Sequence, residues 1–120
     1  MAVRNWFALK AQGHKANQKT LSATSAAYTA RVGSTTDRFA YDYPIEVENP
    51  TDNFTITVPD GYYIGQELLI TLNGNTNSKT VTVTTTTGTD YTLATTGMWI
   101  LMMWTGTVSG WLKVAGTTST

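Results

Sequence analysis

A chain of 120 residues, 41% of them hydrophobic and 13% charged, has room for one ordinary domain and its core. It contains no cysteine and one histidine, which excludes a disulfide framework, thiolate chemistry and histidine-cluster metal sites. A formal net charge of zero argues against a whole-chain nucleic-acid or membrane-surface binder, and no apolar run approaches the ~18 residues of a membrane helix.

Net neutrality hides an asymmetry. Up to Arg38 the chain carries Arg4, Lys10, Lys15, Lys19, Arg31 and Arg38 against Asp37 alone; beyond it, Lys79 and Lys113 stand against seven acids. Residues 1–36 hold no acid, and their apolar residues are clumped at Trp6, Phe7 and Leu9 and then thin out through Leu21, Tyr28 and Val32. A basic, acid-free start is shared with transit peptides, but no apolar stretch follows the first charge as a signal peptide requires. This segment is expected to be an extended basic arm that gains order only against another surface. Fixing each backbone residue costs roughly 1–2 kcal/mol, and the arm has too few apolar groups to offset that alone.

The expected body, residues 37–116, opens on strict alternation. Phe39, Tyr41, Tyr43, Ile45 and Val47 share one face, with Asp42, Pro44, Glu46 and Glu48 on the other, and Pro44 marks an edge or a bulge. Asn49 to Asn53 is a turn cluster, followed by Phe54, Ile56 and Val58 alternating with threonines up to Pro59-Asp60-Gly61. Leu68, Ile70 and Leu72 define the next strand, and Asn73-Gly74-Asn75 reads as a hairpin. Val81 and Val83 alternate with threonines from Lys79 to Thr87, and Tyr91 with Leu93 starts a short strand after Gly88.

Met98 to Trp104 has no polar residue, so both its faces are expected to be covered, by core or by a neighbouring subunit. Gly106 to Gly110 turns into a closing strand from Trp111 to Val114, and residues 117–120 carry no packing signal. Short strands at this spacing predict an all-β fold, a small antiparallel β-sandwich or barrel of meander or jelly-roll type, preceded by the arm. Threonine, roughly a fifth of the chain, suits the outer faces because it is β-branched and uncharged.

Catalytic equipment is sparse. His14 has no acid near it, the arm serines Ser22, Ser25 and Ser34 lie in no nucleophile elbow, and no phosphate-cradling glycine loop exists. Glu46 and Glu48 share a strand face, and Asp52 and Asp60 fall in turns; solubility and turn formation explain them better than a glycosidase pair or calcium loop. The Asn53-Phe54-Thr55 sequon is most simply the start of a strand. Trp99, Trp104 and Trp111 suit a core or subunit interface, or alternatively an aromatic platform for sugar. Arg4, Trp6, Phe7 and Lys10 suit an anchor on a protein, or stacking on single-stranded nucleic acid.

The order of signals over the last two-thirds of the chain runs through Phe54-Thr-Ile-Thr-Val-Pro-Asp-Gly61, Gly65-Gln-Glu-Leu-Leu-Ile70, Lys79-Thr-Val-Thr-Val83 and Trp99 through Trp111. It resembles a β module of tailed-bacteriophage virion proteins, found in capsid decoration (cement) proteins and in tail-fibre subdomains. The resemblance implies a non-enzymatic structural protein on the outer surface of the virion capsid, with the major capsid protein as partner and no cofactor or metal. It implies an arm that bridges capsomers, through Arg4, Trp6, Phe7, Lys10, Lys15, Lys19 and Arg31 here, and a homo-oligomer, by analogy a trimer. The apolar strand suggests Trp99, Leu101, Met103, Trp104 and Trp111 for that self-association. The alternatives are a tail or tail-fibre component whose trimeric β module contacts a receptor, and a nucleic-acid-binding protein using the basic arm.

Overall fold

Alternation in the sequence becomes alternation between core and solvent in nine strands: β1 (Lys19–Ser22), β2 (Tyr28–Thr29), β3 (Ile45–Glu48), β4 (Phe54–Val58), β5 (Glu67–Gly74), β6 (Val81–Thr85), β7 (Asp90–Leu93), β8 (Trp99–Trp104) and β9 (Trp111–Gly116). The structure is a computed structural model that describes residues 17–22 and 27–118. The strands form two sheets, ordered β1-β3-β5-β8-β9 and β2-β4-β6-β7, and among the described residues there is no helix. The fold is therefore all-β, with two separate layers rather than one closed barrel.

The pairing differs from a meander. From β1 to β6 the chain changes sheet at every connection, so β1, β3 and β5 run parallel in one layer and β2, β4 and β6 run parallel in the other. Parallel neighbours need a long crossover, and here the return path is itself a strand of the opposite sheet. The antiparallel strand pairs are β5–β8, β6–β7 and β8–β9. Asn73-Gly74-Asn75 is accordingly no hairpin: β5 runs on through Gly74 and the chain then crosses to β6 in the other layer.

Asparagines hold the stacked turns together. Asn49 Oδ1 accepts from the amide of Thr76 at 3.1 Å, Asn77 Nδ2 donates to the carbonyl of Pro50 at 3.1 Å, and Asn53 Oδ1 accepts from the amide of Thr80 at 2.8 Å. All three bonds span 27 residues, the same offset that sets Phe54 beside Val81 and Ile56 beside Val83. Asn49 sits in the left-handed region at φ 48°, which asparagine tolerates better than most residues.

Inward side chains fill the space between the sheets. Ile45, Val47, Ile70, Leu72, Ile100 and Met102 from one layer meet Ile56, Val58, Val81, Val83 and Leu93 from the other, all fully buried. Each such burial stabilises by about 1.5–3 kcal/mol relative to exposure. The outer face of the four-stranded sheet is threonine: Thr29, Thr57 and Thr84 lie side by side in register, as do Thr55, Thr82 and Thr92.

The expected boundary after residue 36 is not where the packing changes. Leu21 and Ala30 belong to the core, and β1 and β2 pair onto the body as its first rung. At the other end Thr117 bonds both ways with Trp99, through its amide at 2.9 Å and its hydroxyl at 3.1 Å, and Thr118 is buried. A few large side chains suffice to dock a segment whose composition reads as an arm. Likewise the strand expected from Phe39 to Val47 is regular only over Ile45–Glu48, and Phe39 is 70% exposed.

Candidate functional site

Arg4, Trp6, Phe7, Lys10 and Lys15 lie outside the described residues. The two remaining residues assigned to the arm have internal partners. Lys19 places its ammonium 5.2 Å from the centre of the Tyr28 ring, and Arg31 Nε donates to Asp42 Oδ1 at 2.9 Å. Arg31 thus serves the fold through Nε, while its side chain remains half exposed.

The five residues assigned to self-association divide between two faces. Trp104 and Trp111 point inward, 4% and 1% exposed, with ring centres 5.7 Å apart, and Trp111 Nε1 donates to the carbonyl of Pro59 at 2.7 Å. They are core residues, neither a contact surface nor a platform for sugar. Trp99, Leu101 and Met103 alternate with the core positions and reach the outer face of the five-stranded sheet. Register places Leu69 beside Leu101 and Leu112 beside Met103 on that face. Leu112 and Val114 are about half exposed, so the β5–β8–β9 side of the layer presents an apolar stripe. Toward β3 the same face turns acidic with Glu46 and Glu48.

A second surface lies at one end of the sandwich. Residues 31–42 form a hairpin-like loop closed by an Arg31–Asp42 contact, a Val32–Tyr41 bridge, and a hydrogen bond that the Gly33 amide donates to the carbonyl of Ala40 at 3.1 Å. At its base Asp42, 1% exposed, accepts from the Tyr28 hydroxyl at 2.6 Å and the Arg31 amide at 2.9 Å through Oδ2, and from Arg31 Nε through Oδ1. Burial, with the bond to Asp42 and its charge, pushes the Tyr28 hydroxyl up to about 12. At the tip Ser34 Oγ accepts from the Asp37 amide and Asp37 Oδ1 from the Phe39 amide, which fixes the turn.

The loop of residues 60–66 packs beside this hairpin, and Gln66 clamps the two. Its side chain, 6% exposed overall, accepts from the Tyr62 amide at 2.6 Å and donates to the carbonyl of Val32 at 2.9 Å. Gly61 lets the loop lie on the Trp104 ring, where any Cβ would collide. Between the loops run two adjoining hollows. One of about 370 Å³ is lined by Arg38, Phe39, Tyr41, Tyr62 and Tyr63; the other, about 470 Å³, shares Arg38, Phe39 and Tyr62 and adds Thr35, Thr36 and Asp37. The Arg38 guanidinium lies 5.7 Å from the Phe39 ring centre, and Tyr62 and Tyr63 meet edge to face at 6.4 Å.

Alternation through Phe39, Tyr41 and Tyr43 reads as a buried strand face and hides this aromatic cleft in the sequence. The signal that could have found it is Tyr62-Tyr63-Ile64, three large residues directly after a Pro-Asp-Gly turn, which a short loop cannot bury together; all three are exposed. Among the described residues no group of three or more His, Asp or Glu could hold a metal ion. Gln18 Nε2 donates to Glu46 at 2.7 Å, and Asp60 accepts from the Thr86 hydroxyl. Compared with known proteins, the chain matches no family description and no curated protein.

Proposed function

We propose that this chain is a non-enzymatic structural component of a tailed-bacteriophage virion, a decoration protein that self-associates and binds the assembled major capsid protein. The observation that carries the reading is the division of β8, with Ile100, Met102 and Trp104 in the core and Trp99, Leu101 and Met103 outside. Together with Leu69 and Leu112 they make an apolar stripe, bordered by Glu67 beside Met103, on a body whose other sheet is faced with threonine, the kind of surface a second copy covers. A trimer is the state that the resemblance implies. The basic segment with Trp6 and Phe7 supplies a chemically distinct surface for the capsid lattice. Contacts that are weak in one copy then add through effective concentration when several are made on one shell.

Binding to undecorated capsids tests this directly. Trp6→Ala with Phe7→Ala is expected to weaken attachment while the body stays folded, and attachment of the wild type is expected to persist in salt. Steep loss with salt, independent of those two aromatics, supports the nucleic-acid reading of the basic segment instead. A tail or tail-fibre component is the second reading. It is favoured by the stacked parallel strands, because rungs that repeat along an axis suit an elongated appendage.

A further inference from the structure

We infer that the cleft between the 31–42 hairpin and the 60–66 loop is a binding site for a neutral saccharide. Phe39 and Tyr63 offer exposed aromatic rings, and Arg38 with Asp37 offers hydrogen bonds to sugar hydroxyls. This does not depend on the chain being a virion component.

The aromatic side comes first. Phe39, Tyr62 and Tyr63 are 70%, 40% and 60% exposed and gather on one surface, where isolated scatter would need no explanation. Flat rings of this kind present an apolar face that complements the C–H face of a pyranose. The adjoining hollows, about 370 and 470 Å³, fall within the roughly 300–1,000 Å³ typical of small-molecule sites.

The polar side selects the ligand. The Arg38 guanidinium makes no ion pair with any described residue and brings several donors in a planar fork. Asp37 uses Oδ1 for the Phe39 amide and brings acceptor capacity to the same lip as Arg38. A donor fork beside a carboxylate matches hydroxyl groups, which donate and accept at once. A phosphate or carboxylate ligand meets the like charge of Asp37, and a purely apolar peptide leaves Arg38 and Asp37 desolvated without partners. A polyhydroxylated, uncharged ligand with one apolar face satisfies both sets.

The walls are also held in place before any ligand arrives. Gln66 ties the Tyr62 amide to the Val32 carbonyl, and Asp42 with Arg31 closes the hairpin base. Binding then orders few new groups, which lowers its entropic cost.

The test is an array of neutral oligosaccharides of glucose, galactose and mannose in α and β linkages, probed with the full chain and followed by titration of each positive. Saturable binding to at least one is expected, weakened roughly tenfold by Phe39→Ala and by Arg38→Ala. Both residues are exposed, so circular dichroism and melting should match the wild type, and Thr92→Ala on the outer face of the four-stranded sheet should bind normally. Failure of the wild type to bind any neutral oligosaccharide overturns the inference, as does binding that survives both cleft variants. Binding restricted to sialylated or phosphorylated glycans overturns the assignment of a neutral ligand.

Discussion

The Tyr28 hydroxyl donates to the buried carboxylate of Asp42 at 2.6 Å, tying β2 in the first rung to the far end of the hairpin-like loop that follows it. The same carboxylate takes the amide and Nε of Arg31, so three donors depend on one side chain. Asp42→Ala should therefore lower stability by about 2–3 kcal/mol, since two of those donors lose their only described acceptor while the half-exposed arginine regains water. Urea denaturation checks this: the midpoint should fall with the slope unchanged.

Alkaline pH should act through the same contact. The folded state holds the Tyr28 proton up to about 12, against 10.0 for the ordinary side chain. Below pH 10 both states keep the proton and the contribution is complete. Above it the unfolded chain releases a proton that the folded chain retains, so stability falls as pH rises toward 12. Burial and the charges of Glu67 and Tyr41 raise Tyr43 as well, in the same direction. Melting temperature measured upward from pH 9 should decline beyond pH 10, and less steeply in Tyr28→Phe.

Gln66→Leu should loosen the two loops without disturbing the sheets. It leaves the Tyr62 amide and the Val32 carbonyl without their side-chain partner, at a cost of about 1–3 kcal/mol. Amide exchange should speed up at Tyr62 and its loop neighbours while the amides of β5 and β8 stay protected.

How far the sequence could be read follows from what each signal encodes. Alternation marks which residues face inward, and Leu68, Ile70, Leu72, Val81 and Val83 are buried where it predicts. It carries no information on which strand lies beside which. The offset that joins Asn53 to Thr80 and Phe54 to Val81 is present in the sequence, but a turn that ends a hairpin and a turn that changes sheets use the same Asn and Gly residues. The early segment misled for a different reason. Leu21, Tyr28 and Ala30 are too sparse to look like a core, yet they complete one that the later rungs have already built. The aromatic cleft was hidden because Phe39 continues the alternation of Tyr43 and Ile45 while sitting on a loop that leaves the sheet.

Substitutions on the two faces of β8 and β9 should separate association from folding. Met103→Lys with Leu112→Asp changes exposed neighbours on the outer face, and is expected to shift sedimentation from oligomer to monomer with little loss of melting temperature. Trp111→Ala opens the core and leaves the Pro59 carbonyl unpaired, and should cost about 3–5 kcal/mol.

The decisive test of capsid decoration is the copy number of this chain in purified virions, measured by quantitative mass spectrometry against the major capsid protein. A decoration protein should be present in a number on the order of hundreds, as a repeated surface lattice requires. A handful of copies would contradict decoration and move the protein to the tail, and its absence from the particle would contradict both.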